Sequence, residues 1–334
     1  MLSSRWLGKI LLGLAVSMGL LVYFFWNVDL RAVAARLRET LWTFLALSVA
    51  LNFFSLWVRA LRWSYLFPPR THPTHLFRAL VIGYMGNNVL PLRAGELVRI
   101  YVASRHGQRF WTTFATVVVE RVLDGLAVGL MMAGLVLLVP IPAEVRWAIG
   151  VFLVMDLAGI LVLVVVTVAP GVCRVLIKMV FRRIGWLERR LLGMLGTMTE
   201  GLRGIRAAGH TVPITVSSVV IWLLFAFSIW TALHAAHLDL PLTAAWTVVA
   251  FLGLGVSLPS SPGFVGVVQA ATVLALALFS VPRMDALSFS LLFHASQFIP
   301  VTAAGLVYLL REHVSLTDAA RAGGSQISGP ETSG

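Results

Sequence analysis

The chain has 334 residues, of which 59% are hydrophobic and only 12% charged, a balance far from that of soluble domains. That balance excludes a soluble enzyme or binding module and predicts an all-α polytopic membrane protein. A net charge of +12 does not point to nucleic acid, because the Lys and Arg stand in blocks between apolar runs, as in loops that face anionic lipid.

In chain order, Ile10 to Trp26 is an apolar run preceded by Arg5 and Lys9. It reads as a retained first span. A signal peptide is the alternative, with Ala32-Val33-Ala34 as a small-residue cleavage site, but the run is long for one. Further spans are predicted at about Leu41 to Trp57, Thr113 to Val139, Trp147 to Ala169, Val212 to Leu233 and Ala286 to Leu310, giving about six full spans. Two apolar stretches do not fit as simple spans. Ala79 to Leu92 is too short, and Leu242 to Phe279 is interrupted by Pro259-Ser260-Ser261-Pro262-Gly263. Both are expected to be re-entrant or broken helical hairpins.

The cationic residues orient these elements. With the first residue inside, the inner segments hold Arg5 and Lys9, eight Arg from Arg59 to Arg109, eight Lys or Arg from Arg174 to Arg206, and Arg311 and Arg321, which is twenty of the twenty-six. For this bias to hold, the first hairpin must enter and leave from the cytoplasm and the second from the opposite face. Two broken elements of opposite orientation, one in each half of the chain, are the sequence pointer to an inverted-repeat transporter with its site near the bilayer midplane. Irregular backbone at that depth needs protein or water to satisfy it, and Asn87, Asn88, Ser260 and Ser261 can do part of that.

Several polar groups are candidates for the cavity. In Arg93-Ala-Gly-Glu96-Leu-Val-Arg99 the charges are spaced i, i+3, i+6, so Glu96 can pair with an arginine on either side. The segment follows Gly83-Tyr-Met-Gly-Asn-Asn-Val-Leu-Pro91, and reads either as an interfacial helix end or as a helix N-terminus and two arginines aimed at an anion. Glu120, Arg121 and Asp124 lie inside a span, where unpaired charge costs about 2.5–3.5 kcal/mol per residue. Arg121 and Asp124 can pair with each other, and Glu120 with Arg93 or Arg99. A structural ion-pair network and a direct substrate role are both open. Asp156 has no local cation and is expected to be protonated or paired across helices. His294 and Gln297 share one face of the last span. No spacing among the eight histidines suggests a metal site, and the single Cys173 excludes an internal disulfide. Ser260, Ser261, His294 and Asp156 form no catalytic constellation, so neither enzyme activity nor a cofactor is expected.

No shift in composition marks a second folded domain. Residues 1–316 are read as one integral membrane domain, residues 170–210 as a basic amphipathic cytoplasmic segment within it, and residues 317–334 as a disordered tail.

Three motifs in order, "GYMGNNVLPLRAGELVR", "ERVLDG" and "SLPSSPGFVGVVQ", resemble the membrane domain of the lysylphosphatidylglycerol synthase family, also called the flippase-like or UPF0104 family, over about residues 5 to 312. The resemblance implies a lipid or glycolipid translocator of the bacterial inner membrane, with cytoplasmic termini, an anionic or glycosylated lipid headgroup as substrate, and Gln269 and His294 in the substrate cavity. Members fused to a soluble aminoacyl-transferase domain also synthesise the lipid. That activity is not expected of a chain that ends after the last span. The family pattern has an acidic residue where this chain has Gln269 and an arginine where it has His294. A coordinated loss of both charges is what touching partners would require, so these side chains are expected within roughly 3 Å, or one water farther. The rival reading is a non-transporting partner of an envelope-synthesis enzyme.

Overall fold

The computed structural model describes residues 36–67, 71–90, 94–105, 108, 110–138, 141, 143–207, 209–257 and 262–312. The expected first span at Ile10 to Trp26 and the tail at 317–334 lie outside them, as do Arg93, Ser260 and Ser261. The described chain is helical without a strand. Its long elements are α1 (Trp42–Ser64), α4 (Phe110–Leu138), α5 (Ala143–Val168), α8 (Thr211–Ala235) and α11 (Arg283–Arg311). All five have the length and apolarity to cross a bilayer. Their outward faces carry large apolar side chains, such as Trp147 and Leu137, as a lipid-facing surface requires.

Shorter helices fill the bundle. α2 (Pro73–Val89) and α3 (Gly95–Ser104) form one hairpin, and α9 (Leu242–Ser257) and α10 (Val267–Ala277) form the other, with a 3₁₀ turn at Pro262–Phe264 in its break. The first hairpin starts earlier than the apolar run suggested, because Pro73 is tolerated at the first helical position, where its missing N–H is not needed. Between α5 and α8, α6 (Pro170–Phe181) and α7 (Gly185–Ala207) carry the basic segment. α6 has no fully buried side chain, with Met179 and Val180 exposed near its Arg174 and Lys178, and Trp186 is exposed at the start of α7.

α1 and α8 are the most closely packed pair. They run antiparallel and are tied by reciprocal serine bonds: Ser48 Oγ donates to the Ser228 carbonyl at 2.7 Å and Ser228 Oγ to the Ser48 carbonyl at 2.9 Å. Such bonds replace the hydrophobic force that lipid does not supply between helices.

Two large apolar cores result among the described residues. One gathers α1, α2, α3 and the first half of α4 around Trp63, Leu80 and Ile100. The other gathers the second half of α4 with α8 to α11 around Met132, Val248 and Phe289. α11 spans both and orients the hairpins. At its C-terminal end Arg78 of α2 meets Glu312 at 3.1 Å, and ten residues earlier Asn88 Nδ2 donates to Thr302 Oγ1 at 2.8 Å. Farther toward its N-terminus, Gln269 of α10 meets His294. The hairpins therefore enter the bundle from opposite ends of α11.

Candidate functional site

The charged part of the site is built from three helices. α1 contributes Arg59 and Arg62, one turn apart; α3 contributes Glu96 and Arg99; α4 contributes Glu120, Arg121 and Asp124. Glu120 is completely buried and its Oε1 gathers the cluster, lying 3.0 Å from Arg121, 3.3 Å from Arg59 and Arg99, and 3.8 Å from Arg62. Asp124 binds Arg62 at 2.8 Å and Arg121 at 3.6 Å, and also pairs closely with Arg59. Arg99 Nε lies 2.8 Å from Glu96.

These contacts correct the placement of two arginines. Arg59 and Arg62 were counted among the cations of a cytoplasmic loop, with the span ending at Trp57. The helix instead runs on to Ser64, and both guanidiniums turn into the bundle because α4 supplies the two carboxylates that make their burial tolerable. Of the two partners expected for Glu120, Arg99 is present and Arg93 lies outside the described residues. Among the described residues of the cluster, four guanidiniums face three carboxylates. Arg121 is the most open of the four, with 38% of its side chain exposed.

The first hairpin closes over the cluster through glycine. A Cβ on Gly95 would strike the Gly83 carbonyl and the Asn87 backbone, so α2 and α3 approach at a distance only glycine allows. That approach lets Asn87 Nδ2 reach Glu96 Oε1 at 3.4 Å.

The second hairpin meets the tip of the first. Gly263 has φ 68°, and a side chain there would collide with Phe298 and crowd the carbonyl of Asn88. Phe264 beside it also has positive φ, at 58°, a strained conformation for a bulky residue that the surrounding tips hold in place. Gly266 caps the start of α10, and its N–H donates to Gln269 Oε1 at 2.7 Å. A backbone N–H can only donate, which fixes the amide oxygen toward it and leaves Nε2 to donate to His294 Nδ1 at 3.1 Å. The ring also hydrogen-bonds to the backbone of Gly263. The expected Gln269 to His294 contact thus exists as a neutral clamp across the hairpin break.

Between the two cores lies a cavity of about 500 Å³, within the roughly 300–1,000 Å³ of small-molecule sites. Its charged side holds Arg59, Glu96, Arg121 and Asp124, and Asn87 and Asn88 line it at the first tip. The facing side holds His294 and Gln297 among aromatic rings that include Trp222, Phe225 and Phe298. Arg99, Glu120 and Gln269 do not line it; they brace residues that do. Asp156 packs its carboxylate against Gly125, a residue of the cavity wall, where a Cβ would leave it no room.

Sequence reasoning missed Arg59, Arg62 and Trp222. The available signal was spacing: arginines at i, i+3 closing one apolar run match carboxylates at i, i+4 opening another. For Trp222, one of 11 tryptophans, there was no such signal.

No curated protein and no solved structure matches the chain. The family model for the lysylphosphatidylglycerol synthase TM region matches residues 10–305, the span that carries both hairpins, the charge cluster and the cavity, and the chain belongs to that family of multi-pass membrane proteins.

Proposed function

We propose that the protein is a lipid or glycolipid translocator that moves an anionic or glycosylated headgroup across the membrane through the cavity between the hairpin tips, while the acyl or prenyl tails stay in the bilayer. The observation that carries this reading is the meeting of two oppositely inserted hairpins, Asn88 against Gly263, beside a cavity whose charged lining, Arg59, Arg121, Glu96 and Asp124, belongs to a cluster with one guanidinium more than it has carboxylates. Oppositely oriented broken helices with a polar site between them suit alternating access, because rocking one half against the other opens the same site to either face. Breathing at the tips is helped by the neutral Gln269 to His294 clamp, which a charged pair at this depth would tie more firmly.

In this reading the membrane is the bacterial inner membrane, both termini are cytoplasmic, and the basic segment of α6 and α7 rests on the anionic inner leaflet. Anionic lipid is the partner it needs, and translocation requires no covalent step.

The test is lipid translocation in proteoliposomes that contain only this protein. Fluorescent headgroup-labelled anionic lipid should become accessible to an external quencher faster than in protein-free vesicles. A rate equal to that of empty vesicles, for anionic and glycosylated lipids alike, would reject the reading and leave a non-transporting role beside an envelope-synthesis enzyme.

A further inference from the structure

The cavity has two chemically distinct sides, and their proximity narrows the headgroup. On one side Arg59 and Arg121 stand beside Glu96 and Asp124, in a cluster that as a whole has one guanidinium more than it has carboxylates, and the most open guanidinium is Arg121, whose Nε has no hydrogen-bond partner among the described residues. Guanidinium forks suit tetrahedral oxyanions, so this side fits a phosphate. On the other side the wall is aromatic, yet it holds two unused hydrogen-bonding atoms. The Trp222 indole N–H has no acceptor and Gln297 Oε1 has no donor among the described residues.

Gln297 is held in that orientation by its neighbours. Ser48 Oγ spends its proton on the Ser228 carbonyl at 2.7 Å and so accepts from Gln297 Nε2 at 3.3 Å, while Ser296 Oγ accepts from the same nitrogen at 3.2 Å. With the amide nitrogen engaged twice, the oxygen is the free end. A buried donor and a buried acceptor left unsatisfied are costly unless a ligand meets both. A hydroxyl donates and accepts, and a sugar ring carries several hydroxyls around an apolar C–H face that lies well on an aromatic surface.

The two sides adjoin. The Arg59 guanidinium is 5.9 Å from the centre of the Trp222 ring, so an anion beside the charges and a ring beside the indole would be neighbours in one molecule. Resting on the translocator reading of this cavity, we infer that the headgroup is a glycosyl phosphate, with its phosphate at Arg121 and Arg59 and its sugar between Trp222 and Gln297. A bare phosphate diester would leave the aromatic side unfilled.

The test uses the full chain in detergent and three probes: a polyprenyl phosphate carrying one hexose, the same polyprenyl phosphate without sugar, and water-soluble hexose 1-phosphate. Affinities are read by native mass spectrometry or thermal shift. The glycosylated lipid should bind roughly tenfold tighter than the bare one, as two satisfied hydrogen bonds suggest. Trp222→Phe, which keeps a ring and loses the N–H, and Gln297→Leu, which keeps the volume, should each move that ratio toward one. Arg121→Gln should weaken both lipids and leave the ratio standing. Equal affinity for the two lipids, or a preference that survives both Trp222→Phe and Gln297→Leu, overturns the inference. Equal transport of glycosylated and bare lipid also overturns it while the translocator reading stands. If hexose 1-phosphate binds as tightly as the lipid-linked form and no lipid is moved, the glycosyl phosphate site stands and the translocator reading falls.

Discussion

Replacing Glu120 by glutamine removes one of the three carboxylates that face four guanidiniums, and removes it at the point where all four converge. Glu120 has no exposed surface, so solvent cannot take over its role. Breaking a buried pair by deleting one partner costs about 3–5 kcal/mol, because the remaining charge keeps its desolvation penalty. At roughly 2–4 °C per kcal/mol for a domain of a few hundred residues, the melting temperature should fall by on the order of 10 °C. The assay is thermal unfolding in detergent, followed by intrinsic fluorescence, for Glu120→Gln, Arg99→Met and the double variant. Removing Arg99 together with Glu120 restores the original excess of one positive charge. The double variant should therefore be more stable than the sum of the singles predicts, by about 0.5–3 kcal/mol. A Glu120→Gln protein that melts within about 2 °C of wild type but no longer transports would refute the reasoning, since Glu120 would then serve the substrate rather than the fold.

Gly95→Ala would put a methyl group onto the Gly83 carbonyl and the Asn87 backbone, neither of which can rotate away. It should destabilise the protein by about 1–3 kcal/mol, visible as a lower folded fraction in size-exclusion chromatography. At the second hairpin, Gln269→Glu with His294→Arg should give a higher folded yield than either change alone, because each single variant leaves a poorly paired charge at membrane depth; equal yields for all three would show that the two positions are uncoupled. For topology, cysteines at positions 180 and 240 should label from opposite sides of the membrane, and labelling from one side would contradict the opposed hairpins.

The two hairpins were legible because their breaks are local chemistry: prolines and glycines interrupt the apolar pattern whatever packs around them. The Gln269 to His294 contact was legible through the coordinated absence of charge. Arg59 and Arg62 were not, because a cation at the end of an apolar run reads the same whether it faces lipid headgroups or turns inward. Only the position of Glu120 and Asp124 on another helix decides that. For Arg99 the sequence left pairing with Glu96 or Glu120 and a role at an anion open together, and the structure commits it to both carboxylates; helical spacing brings Glu96 within reach, while the contact with Glu120 depends on how α3 packs on α4. The aromatic wall was equally silent, since tryptophan and phenylalanine in a span face lipid, core or cavity with no difference in pattern.

The dependence of α1 on α4 also constrains how the protein is made. Arg59 and Arg62 leave the ribosome before the carboxylates that neutralise them, with the first hairpin in between. Until α4 arrives, two guanidiniums near the end of α1 must stay at the headgroup level, their long stems reaching toward water. α1 cannot take its final depth alone. It sinks into place only as α4 inserts beside it, so the last turns of the first described span are positioned by a segment synthesised about fifty residues later. Biogenesis of this half of the bundle is therefore expected to couple the final depth of α1 to the arrival of α4.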